Sequence, residues 1–197
     1  VITKDKVIVL RTTAYGESDL VLQTLNPRGA KFSLFAKGAL KSKKRFAGGV
    51  LEPSHYIQVV YKRPSHTNGL ALLQEAALLE GFVNIRQSYD KLELAFHFLQ
   101  LISRLCQEGV EDAPDLFDIL GNSLRALQDS SHLELLKLHF DMKLLAIQGV
   151  LPPLAKANKL LSLAVRDHAR ISVQQSELRT LQAQSQSLLA EYLGPRA

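Results

Sequence analysis

The chain has no tryptophan, a single cysteine and a single methionine, and aromatic residues fill only 7% of its 197 positions. One thiol, Cys106, excludes an intramolecular disulfide and any cysteine-rich zinc site, which fits a reducing compartment. The histidines stand apart at positions 55, 66, 97, 132, 139 and 168, without the spacing that metal ligation needs. No uninterrupted apolar run approaches the roughly 18 residues of a membrane-spanning helix, and Lys4, Asp5 and Lys6 break the apolar start where a secretory signal needs continuity. A cytoplasmic protein with no membrane partner is expected. Phosphate-loop and dinucleotide-binding fingerprints are missing, although Gly38 and Gly48-Gly49 flank a lysine-rich stretch. Neither a nucleophile elbow nor a spaced acidic pair occurs, so the reading is of a protein that is not an enzyme and needs no cofactor.

What the chain does have is positive charge in one place. Five of the nine residues 37–45 are basic (Lys37, Lys41, Lys43, Lys44 and Arg45), and no acid interrupts them. Residues 1–70 carry 12 Lys and Arg against 4 Asp and Glu, net +8, whereas residues 71–197 carry 12 against 15, net −3; the formal +5 of the whole conceals this split. The cluster lies between strand-like stretches, on a loop of a folded module, where a polyanion such as a phosphate backbone is its natural partner and a merely solvated loop the bland alternative. Arg11 and Lys31 are candidate extensions of the cationic groove. Phe46, beside Arg45, is the candidate platform for base stacking, with Tyr15, Phe35 and Tyr56 nearby, although aromatic residues in strands serve more often as core.

The first 80 residues read as five short strands. Residues 7–13 are β-branched, residues 20–25 continue as a second strand, and Asn26-Pro27-Arg28-Gly29 turns the chain back into a third over residues 31–37, with Phe32, Leu34 and Ala36 on one face. Residues 56–62 and 70–79 supply a fourth and a fifth. Five strands imply a small barrel or sandwich; an oligonucleotide-binding barrel fits this count best, and an SH3-like barrel gives a similar pattern. From about Arg86 the period becomes helical. Leu92, Ala95, Phe96, Leu99, Ile102 and Cys106 form one stripe, Pro114 opens a second helix, and Ser130 or Ser131 caps a third that stops at Gly149. Two more helices are expected over residues 155–167 and 174–192. The expectation is an α+β chain, with a five-stranded barrel over residues 1–80 followed by an all-helical protein-interaction domain over residues 81–197.

A longer string carries more information. Arg11-Thr12-Thr13-Ala14-Tyr15-Gly16-Glu17-Ser18-Asp19-Leu20, the Gly29 turn, Ala36-Lys37-Gly38-Ala39, the basic stretch and Leu51-Glu52-Pro53 together resemble the bacterial RecO recombination-mediator family, in the family's order over most of residues 7–53. Leu138-His139-Phe140-Asp141, Leu144-Leu145, Gly149 and Pro152 resemble its helix and following turn more loosely. The resemblance implies a DNA-repair mediator that binds single- and double-stranded DNA, anneals complementary strands, works with RecR, engages the acidic tail of single-stranded-DNA-binding protein and helps load RecA, in the cytoplasm at the nucleoid. It departs from the family at Ala157 and its neighbours, which supply none of the cysteines of the zinc site many members carry, so zinc is not expected. Where the family often has arginine, His139 stands here; with Lys137 and Lys143 it makes the candidate contact for an acidic-apolar peptide. The rival reading is an RNA-binding or ribosome-associated barrel protein, and a third is an adaptor whose barrel binds only protein.

Overall fold

The structure, a computed structural model, describes residues 1–42, 44–63, 70–152 and 158–194, the side chain of Lys159 aside. Lys43 of the basic stretch, and Ala155 and Ala157 of the expected fourth helix, lie outside the described residues. Five strands, β1 (Ile2–Tyr15), β2 (Asp19–Leu25), β3 (Lys31–Ala36), β4 (Tyr56–Lys62) and β5 (Ala71–Glu80), close into a barrel in the order β1-β2-β3-β5-β4. This order, with its short parallel β3–β5 seam at Leu34↔Ala71 and Phe35↔Leu72, is the oligonucleotide-binding arrangement, and it removes the sandwich and SH3-like options.

β1 is twice as long as its β-branched stretch suggests, because it serves two neighbours. Ile2 to Ile8 pair with β4, Ile8 to Tyr15 pair with β2, and an irregularity between Val9 and Arg11 bends the strand from one partner to the other. Alternation directs Val7, Val9, Leu22, Leu34, Ile57, Val59 and Leu73 into a fully buried core. The turn after β2 is held by Asn26, whose Oδ1 accepts the backbone N–H groups of Arg28 and Ala30, both at 3.0 Å. Gly29 there has φ +84°, and a β-carbon at this position would run into the backbone carbonyl of Ala113.

The chain divides into two compact units, and the first is not continuous in sequence. Val1–Phe82 is joined by Cys106–Phe117, whereas Val83–Leu105 and Asp118–Ala197 form the second. The expected boundary at 80/81 therefore omits a return segment. That segment follows β3: Gly109 N–H donates to the Lys31 carbonyl at 2.8 Å, and Arg28 sits between Asp5 (3.0 Å) and Glu111 (2.7 Å). Tyr56 meets Phe117 edge to face, with ring centroids 6.0 Å apart. Cys106 is buried as expected, but past the end of its helix and in the barrel unit, and burial pushes its thiol up to about 11.

The second unit contains α1 (Tyr89–Leu105), most of α2 (Pro114–Asp129), α3 (Leu133–Ile147), the short α4 (Asn158–Ser162) and α5 (Gln175–Leu193). Leu138, Met142, Leu160, Ile171, Leu178 and Leu181 make one cluster, and Phe98 stacks on Phe140 at 4.1 Å. The expected helix over residues 155–167 is described only from Asn158 and ends at Ser162, followed by a 3-10 turn over Val165–Arg170. Neither serine is the cap of α3; His132 occupies that position, and Ser130 instead accepts the His132 N–H at 3.1 Å while hydrogen-bonding His168 at 2.7 Å. Among the described residues, no helix is long and apolar enough to cross a membrane.

Candidate nucleic-acid interface

The basic stretch is a plug for one end of the barrel rather than a free loop. Ala39, Phe46, Val50 and Leu51 enter the barrel core, and the chain between them is fixed by backbone bonds. Gly38 N–H donates to Asp19 Oδ1 at 2.7 Å, Leu40 N–H to the Ser18 carbonyl at 3.0 Å, and Ala76 N–H of β5 to the Arg45 carbonyl at 3.2 Å. Thr12 Oγ1 donates to the Leu51 carbonyl at 2.6 Å. With Ala39, Phe46, Val50 and Leu51 directed inward, the segment leaves Lys37, Lys41, Lys44 and Arg45 exposed. Like charges gathered on so short a stretch repel one another, and an anion laid across them relieves that repulsion.

Phe46 is therefore not a stacking platform. It is 5% exposed, and apolar burial outweighs any contact it makes from the surface. Its visible role is to support Arg45, whose guanidinium lies 5.0 Å from the ring centroid and donates to the Lys37 carbonyl at 2.8 Å. Lys31 begins β3, at the opposite end of the strand from Lys37, roughly 20 Å away at ~3.3 Å per residue. It is not part of this cluster. Arg11 is exposed on β1, in register with Gln23.

An aromatic surface does exist, at Tyr15 and Phe35, two of the aromatics named beside Phe46. Register places Thr13, Val21 and Phe35 in one row across β1, β2 and β3, and Leu72 continues it on β5. Their inward neighbours Leu22 and Leu34 are fully buried, so this row faces out. Tyr15, 62% exposed, meets Phe35 edge to face at 5.8 Å. Two signals in the sequence could have found it: Tyr15 and Phe35 fall on the strand face opposite the core residues, and both lie within two residues of a turn.

In the helical unit the three expected peptide contacts have other work. His139 is wholly buried; its ring nitrogens make no hydrogen bond, and burial lowers its pKa to about 4. Lys137 donates to Asp141 at 2.7 Å, and the same nearly inaccessible carboxylate holds His97 at 2.7 Å. Lys143 donates to the Leu161 carbonyl at 2.9 Å, and partial burial lowers its pKa. His139 and Lys143 are taken up by packing because α3 is apolar on nearly every side, so its face toward solvent cannot be read from spacing. One open groove of this unit runs beside α1 and α5, lined by His97, Leu101, Arg104, Leu189 and Leu193, and of the expected contacts Lys137 also lines it. Among the described residues no three of His, Cys, Asp and Glu gather as metal ligands.

Comparison with known proteins agrees with this architecture. Residues 1–82 match the family model described as Recombination protein O N terminal, and residues 86–159 match Recombination protein O C terminal. Proteins named DNA repair protein RecO are similar: that of Desulfosudis oleivorans is 35% identical over 75% of this chain and 56% of its own length. That of Exiguobacterium sp. is 30% identical over 75% of this chain and 57% of its own. The chain thus spans little more than half the length of the curated relatives it matches. With a barrel matching one model and the following helices matching the other, the chain belongs to the RecO family of DNA-repair proteins.

Proposed function

We propose that this chain is the DNA-binding part of a non-enzymatic recombination mediator. The observation that supports this best is the plugged barrel end, on which Lys37, Lys41, Lys44 and Arg45 are held outward by a segment anchored in the core. A surface of this kind contacts backbone phosphate and ignores sequence, as a protein acting at arbitrary lesions requires. Its phosphate contacts are open to single and double strands. Annealing follows from the same charge: two strands screened on one cationic surface repel each other less and pair when complementary. The acidic-apolar tail of single-stranded-DNA-binding protein would enter the α1–α5 groove, its carboxylates near Arg104 and its apolar end near Leu101 and Leu189. RecR is the expected working partner, with RecA loaded as the downstream result.

Salt dependence tests the reading. Each phosphate contact contributes about 0.7 to the slope of log affinity against log salt on single strands. Replacing Lys37, Lys41 and Lys44 together by alanine should flatten that slope by about 2, with the fold unchanged by circular dichroism. An unaltered slope, or tighter binding of structured RNA than of DNA by the wild type, would overturn the assignment.

A further inference from the structure

We propose that Tyr15 and Phe35 form a base-stacking step that gives this surface a preference for single strands over duplex; the inference rests on the phosphate-binding reading above. Tyr15 stands 62% exposed at the end of β1, and its edge-to-face contact with Phe35 at 5.8 Å holds the ring in one orientation. Packing between the two rings limits the side-chain freedom that a bound base would otherwise have to remove. The row continues through Val21 and Leu72, the latter 38% exposed, so the rings sit beside further apolar side chains instead of standing alone.

Charge decides what this row receives. Lys37 follows Phe35 by two residues, and Lys41 lies in a turn tied to the β1–β2 connection by the Leu40 N–H bond to the Ser18 carbonyl. On the other side Arg11 shares the outward face of β1, about 13 Å back along the strand. Cations on both flanks of an aromatic strip fit a polymer whose phosphates and bases alternate. The nearby carboxylate Asp19 is engaged by Gly38 N–H at 2.7 Å, and Glu17 lies out in the turn. Duplex DNA keeps its bases stacked inside and offers only its backbone, whereas a single strand presents ring faces to Tyr15 and gains the stacking energy.

The chain contains no tryptophan, so Tyr15→Trp places the only indole at the site. Oligothymidylate should quench its fluorescence, and an abasic strand of equal length, at equal saturation, should not. In the full chain, Tyr15→Ala should weaken oligothymidylate binding by roughly tenfold, leave abasic-strand and duplex affinities and the salt slope unchanged, and Tyr15→Phe should restore the loss. Absence of quenching, an unaffected Tyr15→Ala variant, an equal loss on abasic strand, or quenching by an acidic-apolar peptide in place of DNA would each overturn the stacking step. A wild type that binds neither strand would instead overturn the phosphate reading beneath it.

Discussion

At the scale of single residues, His139 links the stability of the helical unit to pH. Its folded pKa is near 4, and that of an unfolded histidine is about 6.5. Between these values the unfolded chain binds the extra proton, so stability is complete above pH ~6.5 and declines as pH falls toward ~4. Buried His168, whose pKa is also lowered by burial, acts in the same direction. About 3 kcal/mol is at stake for His139 over that window. His139→Leu should therefore unfold later in urea at pH 5 relative to wild type than it does at pH 7; equal behaviour at both values would mean that the ring is not held neutral. His168 keeps a matched site by contrast, since its Nδ1 bonds the Val165 carbonyl at 2.9 Å and Ser130 bonds its Nε2.

At the scale of elements, the barrel depends on how closely its turns meet other backbone. Gly29→Ala would force a β-carbon both into the left-handed region and into the Ala113 carbonyl. A loss of at least ~3 kcal/mol is expected in denaturant titration, against ~1–2 kcal/mol for the same change at Gly16, where the left-handed strain is shared but the surroundings are open. The elements themselves were legible where alternation is clean. β4 lies where residues 56–62 were read, because Ile57, Val59 and Tyr61 alternate with half-exposed neighbours. The basic cluster was equally legible as a cluster. Its inward partners were not, since Ala39, Phe46, Val50 and Leu51 follow no helical or strand period and are placed only by the barrel they fill. The same limit hid the direction of Lys137 and Lys143 on α3, and it led to Phe46 being preferred over Tyr15.

At the scale of the whole molecule, the discontinuous barrel unit makes the domain boundary experimentally visible. A fragment of residues 1–82 lacks Gly109 against the Lys31 carbonyl, Glu111 against Arg28, and Phe117 against Tyr56, all of which a fragment of residues 1–117 retains. The longer fragment should unfold at higher denaturant and with a sharper transition, and its Cys106 should resist a thiol reagent until unfolding, because the buried thiol ionises only near 11. Equal midpoints would show that the return segment merely lies against the barrel. The segment was illegible in sequence because residues 106–117 are short, mixed in polarity and flanked by two strong helical patterns, so nothing local assigns them to strands nearly eighty positions earlier. Synthesis adds a time to this geometry. A ribosome that has made residue 82 has synthesised all five described strands, yet the return segment ends 35 residues later, at 117. At roughly 5–20 residues per second this is a delay of about 2–7 s during which the Lys31 carbonyl lacks its Gly109 donor, and in which a nascent chain is most open to joining the wrong neighbour.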